Sequence, residues 1–296
     1  MVYAQLEQLK SLRAISNSLN NQELSQAIDL ESFSFSQVSR RLNNLPTEVL
    51  QTLFKDITFK VLKETGVNAL NDAFQHLHLI DSSTISLCLS DYPWADFRKT
   101  TAGVKLHLGL RFFEKGVLPE KVVITPAKPA DKTQMDALVV EEEGALNVFD
   151  RAYVDYRKFD SYCENGTRFV TRLKGNAIIE VVKELPLDPD GPITKHHIVY
   201  LGNAFNYKMK YKLRLIETVD TEGKAVIIIT NDFDHTTEEI GDIYKNRWQI
   251  EIFFKWLKQH LKVKQFYGKS RPLIPLLSNL RKSDILKTAE TQALSK

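Results

Sequence analysis

Tyr244-Lys245-Asn246-Arg247-Trp248-Gln249-Ile250-Glu251-Ile252-Phe253-Phe254-Lys255-Trp256-Leu257-Lys258 contains no glycine or proline and spaces its apolar residues at helical period. With the residues on to Leu261 it predicts one helix, opened at Glu238. At about 100° per residue, Arg247, Glu251 and Lys258 fall at about −60°, −20° and −40° from Tyr244. A phenol, a guanidinium, a carboxylate and an ammonium therefore share one narrow stripe. Ile250, Phe253, Phe254 and Leu257 cover the opposite side. Taken alone, the stripe is equally the solvated i,i+4 ion pair of Arg247 with Glu251. Two upstream strands ending in aspartate change that balance.

Those strands belong to a region that reads differently from the rest. Residues 1–74 predict helices, with Leu6, Leu9, Leu12, Ile15 and Leu19 at spacings of three and four. Another helix starts near Phe35 with Ser34 or Ser36 as cap, and a third runs from Glu48 to Glu64. From about residue 76 the pattern turns to strands: Leu77–Asp81 leading into Ser82–Leu89, Val104–Phe112 and Lys121–Thr125. A helix over Asp131–Glu143, a strand Ala145–Asp150, a helix Tyr153–Asn165 and a strand Arg168–Leu173 follow. Strands and helices in this order predict a layered α/β sheet over residues 75–175. Residues 176–237 predict a β-rich insertion, with strands over 177–182, 196–201, 207–217 and 225–230. The last core helix occupies 238–268, and 269–296 is a polar tail broken by Pro272 and Pro275.

Composition bounds the answer. The chain has 296 residues, 43% hydrophobic and low in glycine and proline, enough for a sizeable core. No apolar run reaches the roughly 18 residues of a membrane span. Met1–Glu7 lacks a basic and an apolar segment, so no signal peptide is expected, and Cys88 and Cys163 form no metal pattern. A reduced, cytosolic protein is the expectation. The net charge of +3 is unevenly spread: Tyr244–Arg271 holds eight Lys or Arg against the single acid Glu251. Such a block suits a polyanion. Trp248, Trp256, Phe266 and Tyr267 lie among the charges and can stack on bases, although core positions are the expectation for the two tryptophans.

Asp81 and Asp150 each close an apolar run, which places them at the C-terminal edge of a sheet, where open α/β sheets put their sites. With Glu251 they make a set of hard oxygen donors suited to two Mg²⁺ ions, the arrangement that serves in-line phosphodiester chemistry. Strand-end aspartates are also common turn and capping residues, so the pair alone decides little. Asp131 and Asp136 read as helix cap and surface. His76, His78, His107 and His260 have no zinc-site spacing.

Ile80-Asp81-Ser82-Ser83-Thr84-Ile85, the segment from Tyr92 to His107, and Val148-Phe149-Asp150-Arg151-Ala152-Tyr153 stand in order before Tyr244, Arg247, Glu251 and Lys258. The last four fit Y-x2-R-x3-E-x6-K. In these blocks the chain resembles the bacterial insertion-sequence transposases of the DDE superfamily, specifically the IS-four family, over about residues 75–268. The resemblance implies an RNase H-like mixed sheet with helices. It implies Asp81, Asp150 and Glu251 as catalytic, metal-holding residues for two Mg²⁺ (or Mn²⁺) ions, and Tyr244, Arg247 and Lys258 as contacts to DNA phosphates. It further implies double-stranded DNA, both inverted-repeat ends and target, as partner; a homodimer in the synaptic complex; and a place in the bacterial cytosol or nucleoid. The expected chemistry is hydrolytic nicking followed by attack of a 3′-hydroxyl on DNA. A catalytically compromised remnant that at most binds DNA, and an RNase H-like nuclease, are the alternatives. Family members generally carry a longer N-terminal region and an apolar helix after the position of Gly268, so a chain shortened in front and altered behind is expected.

Overall fold

The computed structural model describes residues 11–18, 21–29, 32–43, 49, 52, 56, 76–90, 92–113, 116–188, 191–220 and 222–260. Of the expected helix over 48–64 only residues 49, 52 and 56 are described, each as helix, and the tail after Gly268 lies outside the described residues. Among the described residues three short helices come first: α1 (Leu12–Asn17), α2 (Gln22–Ile28) and α3 (Phe35–Asn43). Ser34 caps α3. Its hydroxyl accepts the Gln37 amide at 3.2 Å while the Gln37 side chain accepts the Ser34 amide at 2.6 Å.

The rest is built on one ten-stranded sheet: β1 (Leu77–Leu87), β2 (Asp96–Arg98), β3 (Thr101–Phe113), β4 (Gly116–Pro126), β5 (Leu146–Phe149), β6 (Arg168–Arg172), β7 (Ile179–Glu184), β8 (Ile193–Leu201), β9 (Leu213–Val219) and β10 (Ala225–Thr230). Its heart is the order β4-β3-β1-β5-β6, with β1, β5 and β6 parallel and β3 and β4 antiparallel to their neighbours. This is the expected RNase H-like mixed sheet. The β-rich region does not fold apart from it. Strand β10 pairs antiparallel with β6, and β9, β8 and β7 follow in turn.

Side-chain alternation divides the core into two layers. Leu79, Val148, Val170 and Ile228 face one way, with Ile240, Ile243, Ile250 and Phe254 of helices α6 (Thr237–Asn246) and α7 (Trp248–His260). Their immediate neighbours Ile80, Phe149, Phe169 and Ile229 face the other way. There they meet α4 (Met135–Leu138) and α5 (Tyr156–Glu164). Phe149, Phe159 and Phe169 stack beneath the end of β5, with ring centroids 4.5–5.9 Å apart. Each such pair adds about 0.5–1.5 kcal/mol to its area burial.

Three expectations are corrected. The helix expected over 131–143 is a single 3₁₀ turn (Asp131–Gln134) plus the four residues of α4. Beyond it the chain is drawn out along the sheet. The Asn147 side chain pairs with both N and O of Val140, and Lys121 Nζ takes the Val139 carbonyl at 2.6 Å. Secondly, the helix expected from Glu238 to Leu261 is divided at Arg247. The Arg247 amide bonds back only three residues, to Tyr244 O, and the Ile250 amide likewise to Arg247 O. Such tightening marks a 3₁₀ step. The Asn246 side chain meanwhile takes the Asp242 carbonyl, competing with the helix ladder. Thirdly, Trp248 and Trp256 are not core: they are 59% and 50% exposed. The apolar stripe of α7 is too narrow to reach them once Ile250 and Phe254 fill the space over the sheet.

Candidate active site

Asp81 does not end its strand. Strand β1 runs six residues further, paired with β3 as far as Leu87–Ala102. The edge at Asp81 is made by its other neighbour, because β5 stops at Phe149, paired with Ile80. Asp150 therefore stands one step beyond that pair, beside Asp81, at a strand spacing of about 4.8 Å. The same parity that puts Leu79 under α6 and α7 puts Asp81 on the α7 side. Glu251 lies in the first turn of α7 and faces it.

Arg247 joins the two. Its Nη1 lies 3.4 Å from Asp81 Oδ2 and its Nη2 donates to Glu251 Oε1 at 2.6 Å. The guanidinium also lies over the Tyr244 ring, 5.7 Å from its centroid. Burial opposes the charge on Arg247, but Tyr244, Glu251 and Asp81 outweigh it and raise its pKa. Asp81 moves the other way from an ordinary carboxylate. Burial foremost, then the charges of Asp150 and Glu251, push it up to about 6, against the Ser82 amide and Arg247. An aspartate stays this basic beside an arginine because burial strips its carboxylate of water, and the charges of Asp150 and Glu251 add to that.

Among the described residues no three His, Cys, Asp or Glu side chains close around one point as they stand. Asp81 and Glu251 converge on the guanidinium, while Asp150 Oδ1 accepts its neighbouring Arg151 amide at 2.6 Å. Mutual repulsion spreads three carboxylates, and Arg247 fills the space between two of them. The donors still fit a divalent cation: all are hard oxygens, and two already share one positive group.

Lys258 and Lys255 line a cleft with Asp81, Ser82, Ser83, Glu251 and Phe254. Lys255 was not singled out in the sequence, although its position, about 20° from Tyr244, lies on the same stripe. Tyr244 is half-buried against the core rather than reaching outward. Asp131 is corrected as well. Expected as a helix cap, it stands inside the 3₁₀ turn that Ala130 precedes, and its Oδ1 accepts the Ser82 hydroxyl at 2.7 Å and pairs with Lys105 Nζ at 3.0 Å. Burial pushes the neighbouring His107 down to about 4, so it is neutral and Lys105 is the cation that balances Asp131. Tyr153 is wholly buried, and its pKa is raised by that burial and by the charges of Asp81 and Asp131. A strand turning its odd residues to one face and its even ones to the other predicts that Ser82 points away from Asp81. Nothing in the spacing pairs Ser82 with Asp131.

A transposase DDE domain model matches residues 73–273. The chain belongs to the DDE transposase-domain family. All six expected site residues lie within that domain. A Geobacillus stearothermophilus protein described as a probable transposase for insertion sequence element IS5377 is 28% identical over 241 residues. The match covers 81% of this chain and 62% of that one. The Sinorhizobium fredii protein y4zB, named a transposase, is 32% identical over 199 residues, 65% of this chain and 54% of that one. The transposase of insertion sequence element IS231E from Bacillus thuringiensis subsp. finitimus is 24% identical over 277 residues, 75% of this chain and 58% of that one. The DDE chain thus spans between half and two thirds of the length of these relatives. A piggyBac transposase synaptic complex with hairpin DNA aligns at a TM-score of 0.38 and 9% identity, over 83% of this chain and 55% of that one. No described helix is long and apolar enough to cross a membrane.

Proposed function

We propose that this DDE protein is an insertion-sequence transposase: it nicks double-stranded DNA at the inverted-repeat ends of its element and joins the freed 3′-hydroxyl to target DNA. The observation that carries the reading is the register of Asp81 beside Asp150, one step past the last β1–β5 pair, with Glu251 facing Asp81 through Arg247. Asp81, Asp150 and Glu251 are the residues that would hold two Mg²⁺ or Mn²⁺ ions. When bound, such ions activate the attacking oxygen and stabilise the leaving oxygen of a phosphodiester.

The chain's own groups do the rest. Asp81 and Asp150 supply the negative side of the site from a rigid sheet edge. Arg247 offers a planar fork of donors, suited to a phosphate oxygen when it turns from Glu251. Lys255 and Lys258 carry the DNA backbone across the mouth of the cleft as point charges. Two copies acting together on the paired ends of one element is the assembly this chemistry calls for, in the bacterial cytosol or nucleoid.

The test is nicking of a plasmid that carries the element with its flanking DNA, by the full chain in Mg²⁺. Asp81→Asn, Asp150→Asn and Glu251→Gln should each reduce nicking more than a hundredfold and leave DNA retention in a gel shift intact. Nicking that persists in all three variants would overturn the assignment. Binding without nicking by the unaltered chain would favour a remnant that at most binds DNA.

A further inference from the structure

Both carboxylate oxygens of Asp81 are held, and by different elements. Oδ2 faces Arg247 at 3.4 Å, on the side of the last core helices. Oδ1 accepts the backbone amide of Ser82 at 2.7 Å. With one oxygen fixed to the strand, the other is the one left to turn toward Arg247. The orientation of the carboxylate therefore depends on where the Ser82 amide stands. That stretch of β1 has lost a neighbour. Strand β5 stops at Phe149, opposite Ile80, so from Asp81 onward β1 is paired with β3 alone among the described residues.

A brace reaches Ser82 from the opposite face of the sheet. The Ser82 hydroxyl donates to Asp131 Oδ1 at 2.7 Å, across 49 residues of sequence. Asp131 is itself anchored. Lys105 Nζ of β3 lies 3.0 Å from the same Oδ1 and donates to Pro129 O at 3.2 Å, so it holds the turn at two points. Lys132, the next residue of the 3₁₀ turn, pairs with Asp155, the cap of α5, at 3.1 Å. The turn is thus fixed to β3 and to α5 without help from Ser82, and Ser82 is fixed to the turn.

The side chains of Lys105 and Asp131 are only 12% and 19% exposed. Burying an ion pair this far costs desolvation that apolar residues of the same size avoid, so the pair is a weak source of stability. Its geometric effect is specific: it sets a fixed acceptor under the one residue whose amide orients Asp81. Resting on the metal-holding reading of Asp81 above, we infer that Ser82 and Asp131 are positioning residues for that carboxylate. Asp131, set by Lys105, fixes Ser82, and Ser82 fixes which oxygen of Asp81 faces Arg247. Partners one step behind a metal-holding carboxylate change metal affinity by about ten- to a hundredfold when they are removed.

The experiment measures Mn²⁺ binding to the full chain by calorimetry, without DNA, and the Mg²⁺ dependence of plasmid nicking. Ser82→Ala removes the hydroxyl and keeps the amide. It should weaken Mn²⁺ binding about tenfold and raise the Mg²⁺ concentration for half-maximal nicking as much, with nicking at saturating Mg²⁺ within about threefold of the unaltered chain. Ser82→Thr, which puts the hydroxyl back, should restore both. Asp131→Ala should reproduce Ser82→Ala, and the double variant should be no worse than either, because the two act through one contact. Should Asp131→Ala fail to fold, Ser82→Ala against Ser82→Thr decides. Unchanged Mn²⁺ affinity in Ser82→Ala, no rescue by Ser82→Thr, or losses that add in the double variant overturns the inference. If that happens while the unaltered chain binds Mn²⁺ and nicks plasmid, the proposed function stands and the positioning role alone falls. An unaltered chain that neither binds Mn²⁺ nor nicks sinks both.

Discussion

Arg247 Nη1 lies 3.4 Å from Asp81 Oδ2, linking the central strand to the last core helix across 166 residues of sequence. The same guanidinium holds Glu251, yet its buried Nε has no hydrogen-bond partner among the described residues. A purely structural arginine satisfies its donors; this one leaves a donor unmade at a cost of about 1–3 kcal/mol. Its present role is to balance two carboxylates, which a divalent cation can take over. Arg247→Ala should therefore lose about 2 kcal/mol of stability in EDTA and recover most of it in millimolar Mg²⁺. Urea unfolding with and without Mg²⁺ checks this, and an equal loss in both buffers would mean the carboxylates do not take up the ion.

Asp81 gives the site a pH signature of its own. Its carboxyl titrates near 6 in the fold, above the ordinary value of about 4. Between those two values the folded protein keeps a proton that the unfolded chain releases, so stability falls as pH rises and levels off above about 6. The whole effect is at most about 3 kcal/mol. Asp81→Asn removes the titration. Its stability relative to the unaltered chain should rise between about pH 4 and 6 and stay constant above, measured in EDTA. A difference that does not vary with pH would place Asp81 in a more solvated setting.

How much of this was legible beforehand follows from how local each signal is. The strand Asp81 stands on, the parity that turns it from Ser82, and the capping of α3 by Ser34 are short-range and could be read directly. The helix break at Arg247 could not, because a stretch without glycine or proline carries no local sign of the 3₁₀ step found there. The edge at Asp81 was read correctly for the wrong reason. The apolar run suggested that β1 ends there, whereas it is the shorter β5 that stops. Asp131 was misjudged because its partners, Ser82 and Lys105, come together only when β1, β3 and the 3₁₀ turn pack.

The basic stripe makes a prediction about salt. Lys255 and Lys258 line the same cleft as Asp81 and Glu251. If each meets one duplex phosphate, Lys255→Ala and Lys258→Ala should each reduce the slope of log K against log salt by about 0.9 on inverted-repeat duplex, whatever its sequence. A slope unchanged in both variants would mean that α7 does not face DNA and that its charges are ordinary surface.

Phe254 and Trp256 make the last prediction, because they are two residues apart and fare oppositely. By sequence both are large and aromatic, and Trp256 is the larger. In the fold Phe254 is buried against the sheet, whereas Trp256 stands half in solvent beside Phe253, ring centroids 6.2 Å apart. Removing a buried phenylalanine leaves a cavity and costs about 3–5 kcal/mol, whereas a surface change away from such features stays within about 0.5 kcal/mol. Phe254→Ala should therefore lower the denaturation midpoint sharply and Trp256→Lys hardly at all. Exposed Trp248, Ile252 and Trp256 stand four residues apart and form one apolar line along α7. Such a patch favours association. Trp256→Lys should then leave stability alone while raising the concentration at which the protein self-associates in sedimentation velocity. A loss from Trp256→Lys as large as that from Phe254→Ala would show that the tryptophan is packed after all, against chain beyond His260 or a second copy.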